Sequence, residues 1–129
     1  MRAILVIAAL CGFFAVLFGA LGAHFLSGVM TEKGSAQFKT ANLYHLIHSL
    51  ALFGCGLLYP LVEKSSKAVV YLKLSATGFI AGIFLFSGTL YYVAILPAGP
   101  FHYLIPLGGL FYMAGWLMLG ACAFCLKAK

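Results

Sequence analysis

From Arg2 to Glu32 the chain carries no charged side chain, and residues 3–23 form one unbroken apolar run. At 1.5 Å per residue a helix of about 20 residues spans the roughly 30 Å of bilayer hydrocarbon, so this stretch is expected to cross a membrane. The remaining charges fence off three further stretches of comparable length, and four spans are predicted, over about 3–24, 42–59, 72–96 and 104–126. Composition agrees. Hydrophobic residues make up 64% of 129 positions, and only eight Lys or Arg and two acidic residues remain to cover a surface. A soluble domain carries about 25% charged residues. A soluble enzyme, a disordered tail and a secreted disulfide module are excluded as readings. The fold class expected is all-α: one polytopic domain over 1–129, with four transmembrane helices in an up-down bundle.

Residues 3–23 are too long for the apolar region of a signal peptide, which is about 7–15 residues, so they count as a span. With four spans, Arg2, Lys64, Lys67, Lys73, Lys127 and Lys129 share one side of the membrane, against Lys33 and Lys39 on the other. The excess of positive charge marks the cytoplasmic side and predicts an inner-membrane protein with both termini in the cytoplasm. The net charge of +6 is then a topology signal. Scattered over short loops, it points to no nucleic-acid partner. No Arg/Ser-rich leader precedes the first span, which favours a bacterial over a mitochondrial membrane.

The one long connection, 24–41, holds Thr31 as an N-cap candidate and predicts an interfacial helix that can run on into the second span, with Gly28 and Gly34 loosening its start. Pro97 and Pro100 predict a tight turn before the last span, and Pro106 fits that span's first turn. Lipid does not drive helices together hydrophobically, so small residues that allow close backbone approach matter. Gly12, Gly19, Gly78, Gly82, Gly108 and Gly109 are the expected packing positions. They serve the bundle itself, self-association or a larger membrane complex. If association uses the stripe, Gly82→Leu should disrupt it.

At 100° per residue, Gln37, Thr40, Tyr44, His45 and His48 fall within an arc of roughly 140° on the second helix, opposite Leu43, Leu46, Ile47 and Leu50. Polar groups in a span face the bundle interior, so this arc is expected inward. The topology also brings all four histidines to the outer side, with Ser87, Thr89, Tyr91 and Tyr92 in the outer half of the third span. His24, Tyr44, His45, His48, Ser87 and Thr89 form a candidate ligand layer. It could bind metal through His24, His45 and His48, haem, a quinone or another small ligand; sense protons; or cross-link helices by hydrogen bonds. No metal or haem is required by the sequence, since no carboxylate or H-x-x-x-H pattern accompanies the histidines. Cys122-x-x-Cys125 lacks the strand context of a redox motif, and no disulfide is expected on a reducing side. Neither glutamate lies in a span and there is no Asp. That argues against coupled transport and against hydrolytic catalysis.

Four motifs stand in order along the chain: Gly19-Ala20-Leu21-Gly22-Ala23-His24; Thr40-Ala41 with residues 44–51 reading YHLIHSLA; Phe86-Ser87-Gly88-Thr89-Leu90-Tyr91; and Pro106-Leu107-Gly108-Gly109 with Ala114-Gly115-Trp116. Together they resemble the small four-span membrane proteins of domain of unknown function 423, a group similar to vertebrate transmembrane protein 256. The resemblance implies a four-helix inner-membrane protein and brings no activity, substrate or cofactor with it. The function expected is therefore non-enzymatic, accessory or structural, exerted through the bilayer and through a homo-oligomer or a larger membrane complex. Ligand binding in the histidine/tyrosine layer is the alternative. A pore or transporter is a third reading that needs an oligomer to supply a polar path.

Overall fold

A computed structural model of the chain describes residues 1–96 and 99–126; Pro97, Lys127 and Lys129 lie outside the described residues. Helix α1 runs Arg2–His24 and α2 runs Glu32–Val62. The third span opens as α3 over Ser66–Gly82, passes through a π-helical segment at Ile83–Gly88 and ends as α4 over Thr89–Ile95. A 3-10 turn at Pro100–Tyr103 leads into α5, Leu104–Phe124. Four helical stretches are long and apolar enough to cross a membrane: Arg2–His24, Glu32–Val62, Ser66–Ile95 and Pro100–Phe124.

The helix expected before the second span runs on into it, forming the first turns of the 31-residue α2. Thr31 caps that helix as predicted, its hydroxyl accepting from the Gly34 amide at 3.0 Å. Gly34 does not loosen the start. A Cβ there would collide with the Ala94 carbonyl oxygen, so the missing side chain lets the first turn of α2 press on the end of α4. Pro106 sits in the first turn of α5, where an absent N–H costs nothing.

The centre of the bundle is the pair formed by α2 and the third span. Leu52, Cys55, Leu72, Phe79 and Ile83 are buried between them and Tyr112 of α5. Helix α5 lies along α3, and α1 lies along α2. Seen from α2, these two flank the third span on opposite sides, since Asn42 reaches α1 while His48 reaches α5.

The small-residue expectation divides. A Cβ on Gly78 would come within 2.9 Å of the Phe111 carbonyl oxygen, one on Gly82 would strike the Tyr112 ring, and one on Gly108 would strike the Phe86 amide. These three glycines set the approach of α5 to the third span. A Cβ on Gly19 would come within 3.0 Å of Asn42 Oδ1, so this glycine leaves room for that side chain. A Cβ on Gly109 would make only ordinary contact with Phe86 and one on Gly12 would meet nothing within 4 Å, so neither is a close-packing position. Gly82 is committed inside the chain, and Gly82→Leu would disturb the fold before any association.

Candidate functional site

The inward face of α2 is rotated by roughly 60° from the predicted arc. Phe38, Ala41, His45, Ser49 and Leu52 are buried together with His48, whereas Thr40 and Tyr44 are exposed. The cause is local. Thr40 satisfies its own hydroxyl on the Ala36 carbonyl at 3.0 Å, so it can face lipid without an unpaired group. The four aliphatic residues do face outward, Leu50 being 64% exposed.

Two hydrogen-bonded clusters tie α2 to its neighbours. In the first, Asn42 donates from Nδ2 to the Ala15 carbonyl of α1 at 2.6 Å and to the Tyr91 hydroxyl at 3.0 Å. A carbonyl can only accept, which fixes the amide orientation. The hydroxyl hydrogen of Tyr91 needs an acceptor, and its other hydrogen-bonding neighbour is His45 Nδ1 at 3.3 Å, so the hydroxyl is assigned as the donor to that nitrogen. The Tyr91 ring is held edge-on between Phe18 and Phe38, at 5.0 and 4.8 Å between centroids.

The second cluster centres on His48. Its Nδ1–H donates to the Tyr44 carbonyl at 2.7 Å, and its Nε2 accepts from the Trp116 indole N–H at 3.1 Å. Both ring nitrogens are therefore engaged and the imidazole is neutral. Its face stacks on Tyr112 at 3.6 Å and 14°, and the Tyr112 hydroxyl pairs with Ser87 of the π segment at 3.0 Å.

The predicted layer is thus brought together in part. His45, His48, Ser87 and Thr89 are buried, and Tyr44 borders the groove between α2 and α5. His24 stands apart: α1 runs antiparallel to α2 with Gly22 against Phe38, which leaves His24 exposed opposite the first turns of α2, roughly 15 Å above His45. Among the described residues no three His, Cys, Asp or Glu side chains are grouped to hold a metal ion, so the His24, His45 and His48 set is not assembled. His102 lies in the 3-10 turn. Cys122 and Cys125 are free thiols, and Cys55 pairs with Ser75 at 3.6 Å.

Sequence reasoning placed Tyr91 at the level of the layer but missed Asn42, Tyr112 and Trp116 as members of it. Asn42 carried a usable signal, as the carboxamide that opens an otherwise apolar run. The aromatics carried none, because tyrosine and tryptophan also favour membrane interfaces. Asn42→Leu should loosen α1 by about 1 kcal/mol, since it leaves the Tyr91 hydroxyl and one carbonyl lone pair unmatched. Disulfide trapping between engineered cysteines in α1 and α2, in a background without native cysteines, should show slower pairing. Unchanged trapping would mean that packing alone holds α1.

A model of the family described as "Protein of unknown function (DUF423)" matches residues 18–109, most of the chain. The chain belongs to this family. The DUF423 match includes Phe18, Asn42, His45, His48, Ser87 and Tyr91, while Tyr112 and Trp116 lie beyond it. This DUF423 protein is 32% identical over 128 residues to the UPF0382 inner membrane protein YgdD of Escherichia coli strain K12, covering 99% of this chain and 94% of that one. It is 31% identical to a UPF0382 membrane protein of Haemophilus influenzae over 96% of this chain and 95% of the relative. It is also 31% identical to the UPF0382 membrane protein YwdK of Bacillus subtilis, over 95% and 97%. No solved structure matches it. The DUF423 protein is an integral membrane protein, as its four apolar helices and these relatives agree.

Proposed function

We propose that this DUF423 protein is a non-enzymatic accessory component of the inner membrane, acting by packing with itself or with a larger membrane complex and requiring no metal or haem. The observation that carries this reading is the employment of the polar groups between its helices. Asn42, Tyr91, His48, Trp116, Ser87 and Tyr112 all spend hydrogen bonds between helices. Such bonds fix a helix arrangement at about 0.6 kcal/mol each. A metal or haem iron would have to displace Trp116 or the Tyr44 carbonyl to reach His48.

The surface left for a partner is α1, which buries only Ala8 and Ala15. A photo-crosslinking residue at Val16, 67% exposed on α1, should give one discrete protein adduct in native membranes. The protein purified from those membranes should be colourless. Lipid adducts alone, or a haem band, would sink the accessory reading. The lysine and arginine asymmetry supports a cytoplasmic position for both termini. A green fluorescent protein fused after Lys129 should therefore fluoresce, and an active alkaline phosphatase at the same place would reverse the orientation.

A further inference from the structure

A second feature of the polar layer goes beyond the accessory reading and does not depend on it. Between α1, α2 and the π segment lies a cavity of about 260 Å³, walled by Phe14, Phe18, Phe84 and Tyr91, with His45 and the bare backbone of Gly88 also lining it. Phe84 is 68% exposed and Phe14 43%. At mid-span these rings face acyl chains, so the cavity opens sideways into the bilayer. A dry cavity of about 150 Å³ accepts benzene, and this one has room for a substituted single ring.

His45 makes the cavity more than an apolar gap. Its Nδ1 accepts from Tyr91, which places the ring proton on Nε2. His45 is only 5% exposed, and Nε2–H has no partner in the hydrogen-bond network described above. Every sealed side-chain nitrogen or oxygen among the described residues does have a partner. Nε2–H therefore keeps some accessible surface, and this cavity is one that His45 lines. In the larger groove between α2 and α5 both nitrogens of His48 are engaged, and the Tyr44 hydroxyl belongs to a side chain 40% exposed rather than to a buried, fixed donor.

An aromatic-walled slot, entered from the lipid and carrying one fixed N–H donor, suits a planar ring with a carbonyl acceptor. We propose that a quinone-class molecule of the lipid phase seats its ring in this cavity and accepts a hydrogen bond from His45 Nε2–H. A fatty-acyl carbonyl is the competing occupant that the test must separate.

Detergent-purified full-length protein is titrated with decylubiquinone and, in parallel, with decylbenzene, which has the ring and tail but no carbonyl. Native mass spectrometry and thermal unfolding provide the readouts. One decylubiquinone per chain is expected, with decylbenzene about tenfold weaker for want of the hydrogen bond. His45→Phe should erase that difference by weakening decylubiquinone. Gly88→Leu should abolish binding of both probes by filling the cavity. A Cβ at Gly88 meets nothing nearer than the Ile83 carbonyl oxygen at 3.7 Å, so this variant decides the matter even if His45→Phe does not fold. Equal affinity for the two probes, undiminished binding to folded Gly88→Leu, or a bound phospholipid that decylubiquinone does not displace would each overturn the proposal.

Discussion

Gly108→Leu is expected to cost at least about 3 kcal/mol and to leave little folded bundle. A Cβ at this position would land on the Phe86 amide nitrogen and lie 2.7 Å from the Leu85 carbonyl carbon. Those atoms are helix backbone, and unlike a side chain they cannot rotate aside. Overpacking in a core costs about 1–3 kcal/mol when neighbours can adjust, and here the only adjustment is to move α5 off the third span. Gly12→Ala supplies the opposite sign: its Cβ would meet nothing within 4 Å, so the helix should gain about 0.5–1 kcal/mol from the lost glycine flexibility. Both effects can be read by denaturing-detergent titration with emission from Trp116, the single tryptophan. Similar midpoints for the two variants would mean that α5 does not touch the π segment.

The second large effect is at Tyr112, which is 3% exposed and joins three elements at once. Its ring fills the notch at Gly82 and stacks on His48, while its hydroxyl reaches Ser87. Removing the whole ring in Tyr112→Ala should cost about 3–5 kcal/mol, as for other buried aromatics. Tyr112→Phe keeps the ring and loses only the hydroxyl, which in a membrane protein is worth about 0.6 kcal/mol. The ratio between the two is the informative quantity. If Tyr112→Phe were as damaging as Tyr112→Ala in the same titration, polar pairing rather than ring packing would hold α5 in place.

The spans were legible because hydrocarbon thickness sets a length and charge sets the edges. α1 spans Arg2–His24, matching the stretch drawn from uncharged sequence alone. The helix ends were legible in part: Thr31 marked the start of α2 at Glu32, but hydropathy alone ended that span near 59, short of Val62, since a helix continues through polar headgroups without needing apolar side chains. His45, His48 and Ser87 could be placed inside because polar groups avoid lipid, but that reasoning also drew in Thr40 and Tyr44. It has no means of seeing that a threonine hydroxyl can close on its own helix. Glycine spacing found Gly78, Gly82 and Gly108, and it could not separate them from Gly12, because the stripe does not say which face meets a neighbour. The π segment was invisible, as IFLFSG reads like any apolar stretch.

That segment turns residue number into a specification. A π turn closes on the fifth residue ahead where an α turn closes on the fourth, so the third span carries more chain than an unbroken α-helix would need. Phe79 on one side faces Trp116 and Tyr91 on the other faces Asn42. Removing any one residue between them would turn everything downstream by about 100° and draw it back by about 1.5 Å. Tyr91 would then point away from Asn42 even though every other side chain was retained. Residues 83–88 therefore act as a phase shifter between two faces of one rod, and their number is as strict a requirement as the identity of any one of them.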